Sequence, residues 1–239
     1  VQIFPAQQLG AAKDHYTMTA QGIVDGAWVA PGYSPGRFPV IAAGEIPFLM
    51  TNGSSGSEAF DIWYRLHAGK EMSDVYYCAA TVQEPGVLHS AKPIKDVKSL
   101  SGLKLRVATA TLGKYFGSLG AAPVSIPAPE VRAAAEKGVV GAVTYGWKTS
   151  QALGVTAAFK NHLDYPIYSV PTAYLLSNAF YQKLPKDLKA VIDQACSSDM
   201  AGKLGKIWAD WEAAGKTDIS KDEGRNIYQA TAELKDGLQ

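Results

Sequence analysis

Ser99-Leu100-Ser101-Gly102-Leu103-Lys104-Leu105-Arg106-Val107 reads as the end of a short helix, a glycine turn and a β-strand. Strand side chains alternate, so Leu103, Leu105 and Val107 share one face and Lys104 and Arg106 the other. The alternation by itself favours a solvated charge for Arg106. The alternative is a guanidinium at the carboxyl end of a parallel strand, where open α/β sheets bind ligands.

The same rhythm of apolar strands and amphipathic helices extends both ways. Towards the amino end, strands are expected at 1–4, 23–30 and Val75–Val82, with helices at 11–21 and 58–69. Gly22 closes the first helix, and Ser57 caps the second, whose apolar face would be Ala59, Ile62, Trp63 and Leu66. Pro31-Gly32-Tyr33-Ser34-Pro35-Gly36 between them is a loop that lines a site or runs over the surface. Towards the carboxyl end, a short helix at Val97–Leu100 precedes strands at 103–108, 124–126 and 139–145, which alternate with helices at 112–119, 129–137 and 147–153. A long β-rich stretch at 167–176 follows. Leu184-Pro185 then opens a long helix with Leu188, Val191, Ile192, Ala195, Leu204, Ile207, Trp208 and Trp211 inward. The pattern predicts an α/β fold of mostly parallel strands, in two units joined by Val75–Val82 and 167–176.

Composition bounds the function. The 239 residues are 47% hydrophobic and 19% charged, as in a globular chain of one to two domains. A formal net charge of +1 lacks the basic footprint of a nucleic-acid binder. No apolar run is long enough to span a membrane. The chain opens on Val1-Gln2-Ile3-Phe4-Pro5 without Met or a signal-like segment, so a leader is expected to be removed or to lie outside the sequence. Cys78 and Cys196 read first as two buried thiols, with a disulfide as the alternative in an oxidising compartment.

Catalytic motifs are missing from the sequence. His15, His67, His89 and His162 are scattered, and no zinc-binding helix, nucleophile elbow, phosphate loop or dinucleotide fingerprint is present. Neither a metal nor a cofactor is expected.

The segment from Ser99 to Val107 resembles the "dLkGlKiRv" stretch of the substrate-binding proteins of TRAP (tripartite ATP-independent periplasmic) transporters, the DctP-like family. Further pieces follow in the family's order: Phe4-Pro5 with Gln8-Leu9-Gly10, Gly22-Ile23-Val24-Asp25, and Phe38-Pro39 with Ile46-Pro47-Phe48. Ser90-Ala91-Lys92-Pro93-Ile94, Leu119 to Val124, Pro129-Glu130-Val131, Asn178 and Leu184-Pro185-Lys186-Asp187-Leu188 continue it. Each piece is short, but their collinearity covers nearly the whole chain.

The resemblance implies a two-domain flytrap fold with hinge strands and a long helix, shorter than the family at both ends. Residues 1–82 with 172–210 would form one domain, and 83–171 with 211–239 the other. It implies a periplasmic receptor, monomeric, that hands an organic acid to TRAP permease subunits. The family's arginine at the Arg106 position pairs with the ligand carboxylate, as suits a planar fork of donors. Trp28, Pro31 and Tyr33 from one domain, and Pro85, Tyr145 and Trp147 from the other, are the expected cleft residues around it. Trp28 and Tyr145 are equally readable as core, and Trp208 and Trp211 as packing.

Aromatic walls with one arginine suit a monocarboxylate with an apolar, aromatic or sugar-ring body. Two departures from the family's sialic-acid binders, Gly86 in place of a second arginine and Ala30 in place of an acid, argue against sialic acid. Gly141-Ala142 replaces the usual Asp-Gly. The alternatives are a solute-binding protein of another transporter or sensor class and an enzyme acting on a carboxylate.

Overall fold

The computed structural model describes every residue from Val1 to Gln239. Three strands, β1 (Gly26–Val29), β2 (Val75–Val82) and β8 (Pro171–Ser177), form an antiparallel sheet in the order β1-β8-β2. The other six are β3 (Gly86–Ser90), β4 (Lys104–Val107), β5 (Ala122–Ser125), β6 (Ala142–Tyr145), β7 (Asn161–Tyr168) and β9 (Asn226–Gln229). They form a mixed sheet ordered β5-β4-β6-β3-β7-β9.

Parallel pairing is limited to β4 with β5 and β6, and β7 with β9. The expected mostly parallel arrangement fails because parallel neighbours need a crossover connection. Here β2 passes through 83–85 straight into β3, and β7 passes through 169–170 straight into β8. The pairs β2–β8 and β3–β7 therefore make one antiparallel ribbon that runs through both sheets. At the crossing, Gln83 N–H donates to the Val170 carbonyl at 3.1 Å and Ser169 Oγ to the Gln83 carbonyl at 2.5 Å. The apolar stretch expected as one strand at 167–176 is thus the end of one strand and the body of another.

Each sheet has its own core. Val29, Phe38, Ile41, Phe60, Tyr64, Val75, Val82 and Leu175 pack on the small sheet. Leu88, Leu100, Leu105, Val107, Leu112, Phe116 and Leu163 pack on one face of the large one. Its other face carries Val143 and Tyr145, covered by Val131 and Ala135 of α4 (Val131–Glu136).

The helices are placed as expected but several are turned. Residues 11–21 form a 3₁₀ turn and a short α1 (His15–Ala20). In α2 (Ser54–Glu71) the buried residues are Ser57, Phe60, Asp61, Tyr64 and Ala68, whereas Ile62 and Leu66 are exposed. Polar residues face inward here because they are bonded there. Asp61 accepts from Arg65 Nε at 2.6 Å, Ala80 N–H at 2.6 Å, Ser198 Oγ at 2.7 Å and the Tyr77 hydroxyl.

The long helix expected after Leu184 is two helices, α7 (Lys186–Ala195) and α8 (Ser198–Lys221), parted at Cys196-Ser197 where Ser197 caps α8. Leu188, Val191, Ile207 and Trp211 are exposed, and the buried face of α8 is Ala201, Gly205, Glu212, Gly215 and Ile219. Small residues face inward because α8 presses against both units. A β-carbon on Gly205 would lie 2.3 Å from the Gly53 carbonyl at the start of α2. One on Gly215 would lie 2.2 Å from Lys148 N in α5 (Trp147–Ala152).

Three further expectations change. Residues 1–4 are exposed and irregular, with no strand beside them, and the strand expected at 23–30 forms only at Gly26–Val29. Cys78 and Cys196 form a disulfide, with their Cα atoms 4.4 Å apart, rather than two free thiols. Cys78 sits at the irregularity in β2 between Tyr77 and Ala79, which turns its side chain towards the α7–α8 junction.

Candidate ligand-binding site

Arg106 lies on β4 beside Val143 of β6 and Val124 of β5. The polar face of its strand is the face that α4 covers, so Arg106 is 1% exposed rather than solvated. Its Nε donates to the Ile126 carbonyl at 2.8 Å and Nη1 to the Thr144 carbonyl at 3.1 Å. Nη2 is buried without a partner. None of the chain's ion pairs uses the guanidinium. A buried cation without a counter-charge is costly, and an anion at Nη2 would repay both the charge and the idle donor.

Tyr145 and Tyr168 lie beside it, and Tyr33 lies close to both. The Tyr145 ring lies 4.5 Å from the guanidinium carbon. Burial pushes the Tyr145 phenol above its ordinary range, with Arg106 pulling weakly the other way. Burial likewise pushes Tyr168 up to about 12, against Arg106 and Thr144. Both phenols are therefore protonated at neutral pH. Tyr33 crosses from the small-sheet unit: its hydroxyl accepts from Ala128 N–H at 3.0 Å, while Tyr145 donates to the Ala128 carbonyl at 3.4 Å.

Of the expected cleft residues, the structure brings Tyr145 to Arg106 and Tyr33 to Ala128, which Tyr145 also contacts. Pro31 is buried in the same turn as Tyr33, and Pro85 is buried in the crossing link next to Gly86. Trp28 is 42% exposed and neighbours Thr81, Gln83, Tyr174 and Trp208. Trp147 packs against His89 at 5.7 Å and His162 at 6.1 Å.

Tyr168 escaped the sequence reading because it sits in the stretch taken as one strand. A β-carbon on Gly86 would lie 2.6 Å from its ring, so the tyrosine occupies the space that a side chain at 86 would need. Glu212 was also missed. Buried at 2% exposure, it accepts from Lys148 N–H at 2.6 Å and from Thr149 N–H at 3.3 Å, capping α5 in place of Gly146, which has no side chain to do so. Burial raises its pKa, and the Thr149 and Lys148 bonds oppose the rise.

On the same sheet face, His89 of β3 and His162 of β7 are cross-strand partners with Nδ1 atoms 2.8 Å apart. Both are fully buried and neither Nε2 has a partner. Burial, then His162, draws His89 from 6.5 down to about 3. Burial, then Arg225, draws His162 down to about 4. These folded values lie below the unfolded ones, so the stability they contribute is complete above pH 6.5. It is lost as pH falls towards 4, while the unfolded chain binds protons that the folded chain refuses. We expect urea-unfolding stability to drop by about 1.4 kcal/mol per pH unit for each ring below pH 6. A His89→Phe/His162→Leu double variant should lose that slope, and identical slopes in variant and parent would rule the pair out as its source.

Known proteins resemble this chain over nearly all of its length. A family described as "Bacterial extracellular solute-binding protein, family 7" (DctP) matches residues 1–238. A TRAP solute-binding protein from Rhodoferax ferrireducens, solved with copurified benzoate, is 32% identical. It superposes with a TM-score of 0.92 over 96% of this chain and 74% of that one. A marine-metagenome TRAP solute-binding protein described as specific for aromatic acid ligands, solved with metahydroxyphenylacetate, is 28% identical. Its TM-score is 0.94 over 100% of this chain and 76% of that one. A curated "Solute-binding protein" of Albidiferax ferrireducens is 24% identical over 200 residues. That match covers 80% of this chain but only 58% of the relative's length. No helix of the chain is long and apolar enough to cross a membrane. With a match from the first residue almost to the last and a two-sheet fold shared with solved relatives, the chain belongs to the DctP family of TRAP solute-binding proteins.

Proposed function

We propose that the protein is a periplasmic receptor that closes two lobes on a monocarboxylate and delivers it, as a monomer, to TRAP permease subunits. Arg106 pairs with the carboxylate. The observation that carries the reading is the buried guanidinium with an idle Nη2 and no acid of its own chain in reach. Residues 1–82 with 172–210 make one lobe and 83–171 with 211–239 the other, and the cleft lies where Tyr33 meets Ala128.

The ligand's body is aromatic or similarly flat and apolar. Tyr145, Tyr168 and Tyr33 offer ring faces and only a few hydroxyls, and two relatives were solved with benzoate and with metahydroxyphenylacetate. One cation suits one carboxylate. The chain has no chemical step: a bound acid is held and released unchanged.

Calorimetry with benzoate, 3-hydroxybenzoate and benzamide tests this directly. The acids should bind and the amide should lose about 100-fold or more, because it keeps the ring and loses the charge-assisted pair. Equal affinity for benzoate and benzamide would overturn the carboxylate reading.

A further inference from the structure

Glu45-Ile46-Pro47-Phe48 leaves the core of one unit and grips the other at two places. The turn that ends at Glu45 is anchored in the small-sheet unit. Ile41 and Phe38 are buried there, and Glu71 of α2 accepts from Val40 N–H at 2.6 Å and Ile41 N–H at 3.0 Å. Beyond it, Phe48 N–H donates to the Ile167 carbonyl of β7 at 2.7 Å. The Phe48 ring packs on Tyr165 at 5.7 Å and on Tyr115 at 6.3 Å, both in the large-sheet unit. Phe48 has φ +64°, in the left-handed region that side chains with a β-carbon avoid.

The second grip is Glu45. It is 3% exposed and forms no ion pair, and its turn packs against α3 (Ala110–Ser118), with the Thr109 and Thr111 hydroxyls beside its carboxylate. A β-carbon on Gly32 would lie within 2.6 Å of both Glu45 Oε1 and the Thr109 methyl, which fixes how closely these two side chains sit.

The grips have a common address. Thr109 follows Arg106 by three positions, and Ile167 immediately precedes Tyr168. We propose that residues 45–48 are a closing strap, with Glu45 and Phe48 as positioning residues that hold the Arg106 and Tyr168 strands against the opposite lobe and so set how fast a ligand leaves.

A strained backbone persists only where its surroundings over-determine it. The contacts of the Phe48 N–H and ring come from the other unit, while a turn bond from Leu49 N–H to the Ile46 carbonyl at 3.2 Å spans the residue locally. Separating the units would break the Phe48 contacts with Ile167, Tyr115 and Tyr165 and leave only the local turn bond, which makes the strap two-state. Contacts present only in the closed form slow dissociation rather than speed association. The ligand part of this inference rests on the carboxylate-receptor reading; the contact part does not.

Stopped-flow benzoate release from Glu45→Ala and Phe48→Ala tests it, alongside hydrogen exchange on the ligand-free proteins. Each variant should release benzoate about tenfold faster with association within about twofold of wild type. Glu45→Gln, which keeps an acceptor for the threonines, should stay within about threefold of the parent. Amides of 110–116 should exchange faster in both alanine variants. Unchanged release and unchanged exchange would overturn the strap. If no acid binds the wild type, the receptor reading fails, and the exchange result alone decides the strap. Should Phe48→Ala not fold, Phe48→Gly removes the ring and permits the positive φ, and must show the same faster release.

Discussion

Replacing Arg106 with methionine is expected to abolish carboxylate binding while leaving the ligand-free protein folded. Two charge-assisted hydrogen bonds to a carboxylate are worth about 1.5–3 kcal/mol each, so affinity should fall by a factor on the order of 10² to 10⁴. The stability side is unusual for so buried a residue. Methionine removes a desolvated cation that lacks a counter-charge, a change that for buried ions ranges from neutral to about 4 kcal/mol stabilising. Against this, the Ile126 and Thr144 carbonyls lose their donor, at about 1–3 kcal/mol each. At the midpoints of these ranges a net loss of about 2 kcal/mol remains, and the melting temperature should fall by no more than about 8 °C. Arg106→Lys keeps the charge but not the fork or the stacking on Tyr145, and should bind weakly too. Calorimetry and thermal melting on the same preparations read both sides. Retained binding in Arg106→Met would remove the anchor, and unfolding would recast Arg106 as a structural residue.

The disulfide carries the second large effect. Cys78 and Cys196 are 118 residues apart in sequence, and the bridge ties β2 to the start of α8. Closing a loop of that size is worth about 5 kcal/mol in chain entropy. Cys78→Ala/Cys196→Ala should therefore melt about 10–20 °C lower, and strong reductant should bring the parent to the same value. A loss under about 1 kcal/mol in urea unfolding would mean the unfolded chain is already compact around this link. Such dependence suits folding in an oxidising compartment, as expected for an extracellular solute-binding protein.

Legibility in the sequence tracked the physics of each element. The strand around Arg106 was readable because Leu105 and Val107 alternate with charged neighbours. The burial of Arg106 was not, because the helix covering its polar face comes from residues 131–136, distant in sequence. All five residues of β3 are buried, so it shows no alternation to detect. The faces of α2 and α8 were misjudged for another reason. Their contact is built from Gly205, Ser57 and Asp61, and that of α8 with α5 from Gly215 and Glu212. These residue types look like a solvated surface until their partners are known. Tyr33 stood out by its glycine-flanked loop, whereas Tyr145 read equally well as core. Tyr168 needed the knowledge that the chain changes sheets one residue after it.

Gly86 and Tyr168 form a mutually exclusive pair, since the space of one side chain is already filled by the other. The consequence is evolutionary. A new charged group at 86 arriving first would clash with a rigid aromatic in the middle of the ribbon joining the lobes. Loss of the ring at 168 arriving first would leave a void beside Gly86. A lineage that gains a side chain at 86 must change both positions, and losing the ring at 168 first avoids the clash. Receptors with a small residue at 86 and a large one at 168, or the reverse, should persist, and those with two large residues should be rare.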